Sequence, residues 1–156
     1  MSHNPLKPGQ LAGKTAFVTG SSRGIGADTV GYFAEAGARV AINYRDKEAR
    51  AEKVAAGIRE NGGDAIVVGA DLTDYDTITA LRDTLQKEFG GLDILVLNAS
   101  GGMEAGKGED YAMRLNRDSQ VNLLTTALPY LSDGARVVFV TSHQAHFIRT
   151  TPTMPE

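Results

Sequence analysis

Short apolar runs alternate with amphipathic stretches along most of the chain. The runs cover residues 15–18, 40–42, 65–68, 92–97 and 136–141. A short continuous apolar run is typical of a strand buried on both faces of a sheet. The stretches between the runs carry apolar residues at helical spacing, beginning with Ile25, Val30, Phe33 and Ala34. The alternation predicts an α/β fold, a doubly wound, Rossmann-type parallel sheet with strand order 3-2-1-4-5.

Local signals mark where the predicted helices begin and end. The second helix covers residues 46–61, and Thr73 with Asp76 resembles a capping box that opens the third. The fourth helix spans residues 111–131, where Pro129 indicates a kink or an early end. Its expected inward residues are Leu115, Leu123, Leu124, Leu128 and Leu131.

Composition indicates one globular domain and excludes several kinds of partner. Residues 1–12 are polar with two prolines and predict a flexible arm, and residues 13–156 form the domain. A net charge of -3 gives no electrostatic reason to expect nucleic acid or an anionic membrane. The chain has no cysteine, no apolar run near the roughly 20 residues of a membrane span, and no signal-peptide core. We therefore expect a cytoplasmic protein.

A glycine-rich turn follows the first apolar run. Gly20, Gly24 and Gly26 have the spacing G-x3-G-x-G, and a helical pattern comes directly after them. Glycines let the backbone turn sharply and approach a ligand closely, and the helix N-terminus attracts an anion. The turn is therefore a candidate pyrophosphate site, although alone it could be an ordinary loop between a strand and a helix.

Polar or glycine-rich turns also follow the other apolar runs. Asp71 comes after the third run, Asn98 after the fourth and Ser142 after the fifth. In a parallel sheet these turns meet at one edge, and ligands bind where the strand order reverses. The sequence therefore predicts one crevice at the carboxyl ends of the strands.

The order and spacing of these motifs resemble the short-chain dehydrogenase/reductase family, in its classical, ketoreductase-like form. The resemblance begins near residue 11 and continues to the end of the chain. The motifs that carry it are Thr19-Gly20-x3-Gly24-Ile25-Gly26, Asp71-Leu72, Asn98-Ala99, Asn116 and Ser142.

The resemblance first implies a dinucleotide held at the glycine turn. Gly20, Gly24 and Gly26 shape the turn around the pyrophosphate, and Ser22 and Ile25 add backbone or hydroxyl contacts. These are the contacts on the phosphate side of the cofactor.

It also implies contacts with the adenine and the ribose. Asp71 accepts a hydrogen bond from the adenine amino group, and Leu72 supplies apolar and backbone contact. Asn98 and Ala99 line the ribose, and Ser100 follows them where the family usually has glycine. Taken alone, Asp71 could equally be a helix-capping residue.

Two residues are implied in catalysis. Ser142 hydrogen-bonds the substrate carbonyl oxygen, and Asn116, in a distorted part of its helix, helps to hold a water in a proton relay. Taken alone, Ser142 could be a strand-end serine and Asn116 a solvated helix position.

The end of the second strand favours NADP over NAD. An NAD site usually carries an acid there to bind the ribose hydroxyls. This chain has Asn43, Tyr44 and Arg45, and Arg23 in the glycine turn can reach the same place. Two guanidinium groups can bind a 2′-phosphate through bidentate hydrogen bonds. Asp46 could turn inward against this assignment, and Arg45 could simply be solvated.

The family's Tyr-x3-Lys motif does not occur after Ser142. All five tyrosines precede that serine, so the chain lacks the general acid/base. We expect residues 13–156 to be the cofactor-binding, N-terminal part of a domain of about 250 residues. The fifth strand is then an uncovered sheet edge.

Two functions remain open at this point. The first is an oxidoreductase that exchanges a hydride between NADP(H) and a small carbonyl or alcohol substrate. The second is a non-catalytic dinucleotide-binding regulatory module. The family usually forms homodimers or homotetramers through the long helix. His143 and His146 have no accompanying carboxylate or cysteine, so no metal is expected.

Overall fold

The fold is known from a computed structural model, which describes residues 4–101 and 109–141. It contains a five-stranded sheet of order β3-β2-β1-β4-β5, in which every neighbouring pair is parallel. The predicted fold class and strand order are therefore confirmed. The strands are β1 (Thr15–Val18), β2 (Arg39–Tyr44), β3 (Asp64–Gly69), β4 (Leu92–Leu97) and β5 (Leu131–Phe139).

Helices cover both faces of the sheet. The helices are α1 (Gly24–Glu35), α2 (Glu48–Glu60), α3 (Tyr75–Phe89), α4 (Glu109–Met113), a π-helix (Arg114–Asp118), α5 (Ser119–Ala127) and a 3₁₀-helix (Leu128–Tyr130). Val30 of α1 and Ala55 of α2 belong to the core on one face. Leu81 of α3 and Leu123 of α5 belong to the core on the other. This two-sided burial explains why the strands read as continuous apolar runs.

Two local predictions near helix starts are wrong. The cap of α3 is Asp74, whose side chain accepts a hydrogen bond from the N–H of Asp76, and the Thr73 hydroxyl donates to Asp71 instead. The N-cap is therefore displaced by one residue, and the Asp74 N–H donates to the Asp71 carbonyl instead of completing a capping box. Ile25 is 72% exposed rather than packed with Val30, because the first turn of α1 projects beyond the sheet.

The fourth predicted helix differs from expectation at its C-terminal end. The helical run covers residues 109–130 in four consecutive segments, and Pro129 lies in the final 3₁₀ turn, which ends the run early. Leu131 already belongs to β5, five residues before the predicted start of that strand. Leu128 is 56% exposed and not inward, since the 3₁₀ turn rotates it away from the core.

Hydrogen bonds tie the predicted arm to α1. The Asn4 side chain donates to the Tyr32 carbonyl (3.0 Å) and to the Glu35 carboxylate (2.9 Å). The Leu11 N–H donates to the Ala36 carbonyl (2.8 Å). The described part of the arm is therefore held at two points. No helix among the described residues is long and apolar enough to cross a membrane.

Candidate functional site

A cleft of about 330 Å³ lies at the carboxyl ends of β1, β2, β3 and β4. Every predicted cofactor residue except Gly24 lines it, which places the predicted crevice where the strand order reverses. These residues are Gly20, Ser22, Arg23, Ile25, Gly26, Asn43, Tyr44, Arg45, Asp71, Leu72, Asn98, Ala99 and Ser100. Asp46, which could turn inward against the NADP assignment, also lines the cleft. Three residues that were not predicted there line it as well: Lys47, Ala70 and Leu115.

The glycine turn requires glycine for two different reasons. Gly20 and Gly24 have φ angles of 65° and 54°, which other residues rarely adopt. A Cβ on Gly26 would lie 2.6 Å from the Gly20 carbonyl oxygen and 2.8 Å from the Asn98 side-chain nitrogen. The turn is therefore folded tightly under the β4 loop. Space within 4 Å of a Cβ on Gly24 is open.

The start of α1 is available to an anion. Arg23 is the N-cap residue and makes no side-chain capping bond. The first N–H groups of a helix have no intrahelical acceptor, and the helix dipole is positive there. The Arg23 side chain is exposed at the cleft and has no partner among the described residues. This end of the cleft therefore combines free donors with a positive charge.

Asn43 has a structural task that sequence reasoning missed. Its Oδ1 accepts from the Gly20 N–H (3.1 Å), and its Nδ2 lies 3.4 Å from the Val68 oxygen and 3.3 Å from the Ala70 oxygen. Its own N–H donates to the buried Ser21 hydroxyl (3.0 Å). The buried amide therefore joins β2 to β3 and to the glycine turn. Asn43 thus occupies the position expected for a cofactor-selecting acid, and its side chain instead supports the glycine turn through hydrogen bonds.

A second group of hydrogen bonds shapes the loop after β4. The Thr19 hydroxyl accepts from the N–H groups of Asn98 and Ala99, both at 2.8 Å. The Asn98 side chain donates to the Thr19 carbonyl (3.0 Å), and the Gln120 side chain donates to the Ala99 carbonyl (2.7 Å). Asn98 and Ala99 thus hold fixed positions in the cleft wall. Gln120 is buried on α5, and no local sequence pattern signals this contact.

The β3 end of the cleft is also ordered by side chains. Asp71 Oδ1 accepts from the N–H (2.9 Å) and the hydroxyl (2.7 Å) of Thr73. The Tyr44 ring lies over Gly69, where an added Cβ would come within 2.8 Å of it. Burial, followed by the nearby Glu48 carboxylate, raises the pKa of the Tyr44 phenol. Tyr44 is therefore a neutral wall of the cleft at physiological pH.

Arg45 is fixed by two partners. Its Nε donates to Asp46 Oδ2 (2.7 Å), and its Nη1 donates to the Tyr111 hydroxyl. The hydrogen bond to Asp46 raises the pKa of Arg45 above its ordinary value. Asp46 therefore turns toward Arg45 and partly neutralises it. Tyr111 was not predicted at the site, since it is 66 residues away in sequence from Arg45.

Asn116 lies in the π-helix, the distorted segment that the resemblance implied. Its side-chain oxygen accepts from the Gly101 N–H (3.1 Å), and its nitrogen donates to the Gly101 carbonyl (2.8 Å). The amide thus ties the helix to the loop after β4. Ser142, His143 and His146 lie outside the described residues. In the described part of the chain, no group of three or more possible metal ligands occurs.

The comparisons with known proteins decide the family. A family model described as short chain dehydrogenase matches residues 14–152, nearly the whole chain. The chain belongs to the short-chain dehydrogenase/reductase family. The resemblance that the motifs carried is therefore confirmed.

The similar proteins are longer than this short-chain dehydrogenase/reductase, and the match covers only part of each of them. Versicolorin reductase of Emericella nidulans is 37% identical over 143 residues, which are 87% of this chain and 54% of that enzyme. A short chain dehydrogenase from Burkholderia cenocepacia, solved with NADP, is 35% identical with a TM-score of 0.83, over 90% of this chain and 60% of that one. A metagenomic short-chain oxidoreductase solved with NADP is 29% identical with a TM-score of 0.79, over 85% and 64%. The chain thus spans about half the length of the enzyme it resembles in Emericella.

Proposed function

We propose that this short-chain dehydrogenase/reductase transfers a hydride between NADP(H) and a carbonyl or alcohol substrate. The observation that carries the cofactor assignment is that three cationic residues, Arg23, Arg45 and Lys47, line the cleft. Asp46 pairs with one of them, Arg45, and the other two charges are not offset by it. A dianionic 2′-phosphate gains from such a group, whereas a free ribose hydroxyl does not.

The remaining cleft residues fit the rest of a dinucleotide. The open space at Gly24 and the uncapped start of α1 suit a pyrophosphate. Asp71 uses only Oδ1 on Thr73 among the described residues, which leaves Oδ2 for the adenine amino group, with Leu72 beside it. Asn98, Ala99 and Ser100 then line the ribose side. When bound, the nicotinamide supplies or takes up the hydride.

The substrate side rests on the family relationship. Ser142 is proposed to hydrogen-bond the substrate oxygen, and Asn116 to hold the loop after β4 and the proton relay. Two relatives are solved with NADP, which supports the choice of cofactor. A homodimer or homotetramer and a cytoplasmic location stay predictions.

Calorimetric titration of the chain with NADPH and NADH tests the cofactor assignment. We expect NADPH to bind at least tenfold more tightly, and Arg23→Gln to reduce NADPH affinity about tenfold, the scale of one charge-assisted hydrogen bond. Arg50→Gln is the matched control, because Arg50 is exposed on α2 and does not line the cleft. Tighter binding of NADH would overturn the choice of NADP, and binding of neither would overturn the proposed function.

The same cleft would also serve a non-catalytic dinucleotide-binding module. The observation that favours this second candidate is that the described residues lining the cleft are those expected for cofactor binding, which such a module shares with the oxidoreductase. NADPH oxidation with a panel of ketones separates the two functions. Binding with turnover supports the oxidoreductase, and binding without turnover in an intact protein that contains the Tyr-x3-Lys motif supports the module.

A further inference from the structure

The contact between Arg45 and Tyr111 joins two walls of the cleft. Arg45 follows β2, and Tyr111 belongs to α4, which comes after β4 in the chain. Leu115, about one turn beyond Tyr111 in the helical run, is buried and lines the cleft. The helical segment that contributes Leu115 to one wall of the cleft therefore also contacts, through Tyr111, the Arg45 guanidinium group on the other wall.

Two contacts restrict the Arg45 side chain. Asp46 accepts from Nε and Tyr111 accepts from Nη1, so two of the three nitrogens of the planar group are held. Its Nη2 group has no partner among the described residues. A guanidinium group binds a phosphate with two parallel N–H donors, and it does so best when its plane is already oriented.

We infer that Tyr111 is a positioning residue that orients Arg45 for a 2′-phosphate. This inference rests on the proposed NADP function and adds Tyr111 to the residues that select NADP over NAD. Holding the guanidinium in place before binding removes part of the entropy cost of ordering a long side chain. Tyr111 thereby favours ligands that carry the 2′-phosphate over those that lack it.

The ligand pair 2′,5′-ADP and 5′-AMP isolates this effect. The two differ only by the 2′-phosphate, and both use the adenosine end of the cleft. We expect Tyr111→Phe to weaken binding of 2′,5′-ADP about three- to tenfold and to change 5′-AMP binding by less than about twofold, the scale of one lost hydrogen bond. Calorimetric titration measures both dissociation constants.

Two further variants separate orientation from support of the fold. Tyr75→Phe is the matched control, because Tyr75 is an exposed tyrosine on α3 that does not line the cleft. In an Arg45→Gln background the Tyr111→Phe change should have no further effect on 2′,5′-ADP, because the group that Tyr111 orients is gone.

The outcomes distinguish this inference from the proposed function. If the wild-type chain binds neither 2′,5′-ADP nor NADPH, both the proposed function and the role of Tyr111 are overturned. If it prefers 2′,5′-ADP and Tyr111→Phe keeps that preference, only the role of Tyr111 is overturned. Equal weakening of both ligands, or an effect that persists without Arg45, also overturns it, since Tyr111 would then only support the wall.

Discussion

Gly26 is the most crowded of the glycines that the structure describes. A Cβ there would meet the Gly20 carbonyl oxygen at 2.6 Å and the Ser21 Cα at 2.9 Å, both of them backbone atoms. Backbone neighbours cannot rotate away as a flexible side chain does. The residue therefore couples the first turn of α1 to the loop that shapes the cleft, and its size matters for ligand binding as well as for folding.

Gly26→Ala is expected to reduce NADPH affinity at least tenfold and to lower the free energy of unfolding by about 1–3 kcal/mol. The added methyl group must push the Gly20 turn out of position. Calorimetric titration and urea unfolding measure the two effects. Gly31→Ala is the control on the same helix, because a Cβ there has nothing within 4 Å. Equal behaviour of the two variants would contradict the crowding argument.

At the scale of elements, β1 and β4 are joined through Asp93 at the end of the sheet away from the cleft. Its carboxylate accepts from the Thr15 N–H (2.9 Å) and hydroxyl (3.1 Å), and Lys14 lies 3.8 Å away. Burial alone would raise the pKa of Asp93. The hydrogen bonds from Thr15, with the charge of Lys14, outweigh burial and lower the pKa of Asp93 below its ordinary value.

The lowered pKa of Asp93 makes this junction sensitive to acid. Its stabilisation is present above the pKa of an unfolded aspartate, about 3.9, and is lost as pH falls through the lower folded value. Asp93→Asn should therefore reduce stability by about 1–3 kcal/mol at pH 7 and reduce the loss of stability between pH 5 and pH 2. Urea unfolding across this range measures both changes.

The control for this experiment is Asp133→Asn, which changes an exposed carboxylate near the start of β5. It should leave the unfolding free energy at pH 7 nearly unchanged. If Asp93→Asn also left the unfolding free energy unchanged, the hydrogen bonds at the β1–β4 junction would contribute no net stability.

At the scale of the whole molecule, β5 forms one edge of the sheet and exposes apolar residues. Val137, Val138, Phe139 and Val140 are 41% to 52% exposed, and β5 pairs only with β4 among the described strands. The predicted uncovered edge is therefore present in the described part of the chain. An exposed apolar edge strand pairs readily with another chain.

We expect this 16.5 kDa chain to self-associate through β5. Val138→Lys should shift the weight-average mass toward that of the monomer, because a charged edge disfavours pairing. Val121→Lys is the control, since Val121 is a similarly exposed valine on α5. Sedimentation velocity at several concentrations measures the mass. A shift with Val121→Lys alone would place the association on the long helical run instead.

The order of elements and the outline of the cleft follow from local sequence patterns. Apolar runs indicate strands because both faces of a parallel sheet are buried, and glycine spacing indicates the turn because a positive φ or a close approach excludes other residues. The position of Asn116 in a distorted helix came from family resemblance, since its local sequence carries no signal for a π-helix. The cap of α3 was displaced because Thr73 and Asp74 are both good capping residues and only their contacts distinguish them.

The sequence by itself determined the fold class, the strand order and which turns line the cleft, because each of these depends on short-range periodicity or on steric limits within a few residues. Only the tertiary structure decided that Asn43 braces the glycine turn, that Gln120 holds Ala99, and that Tyr111 reaches Arg45. These contacts join residues separated by 21 to 66 positions. Their partners are chosen by how the helices pack on the sheet, which no local pattern records.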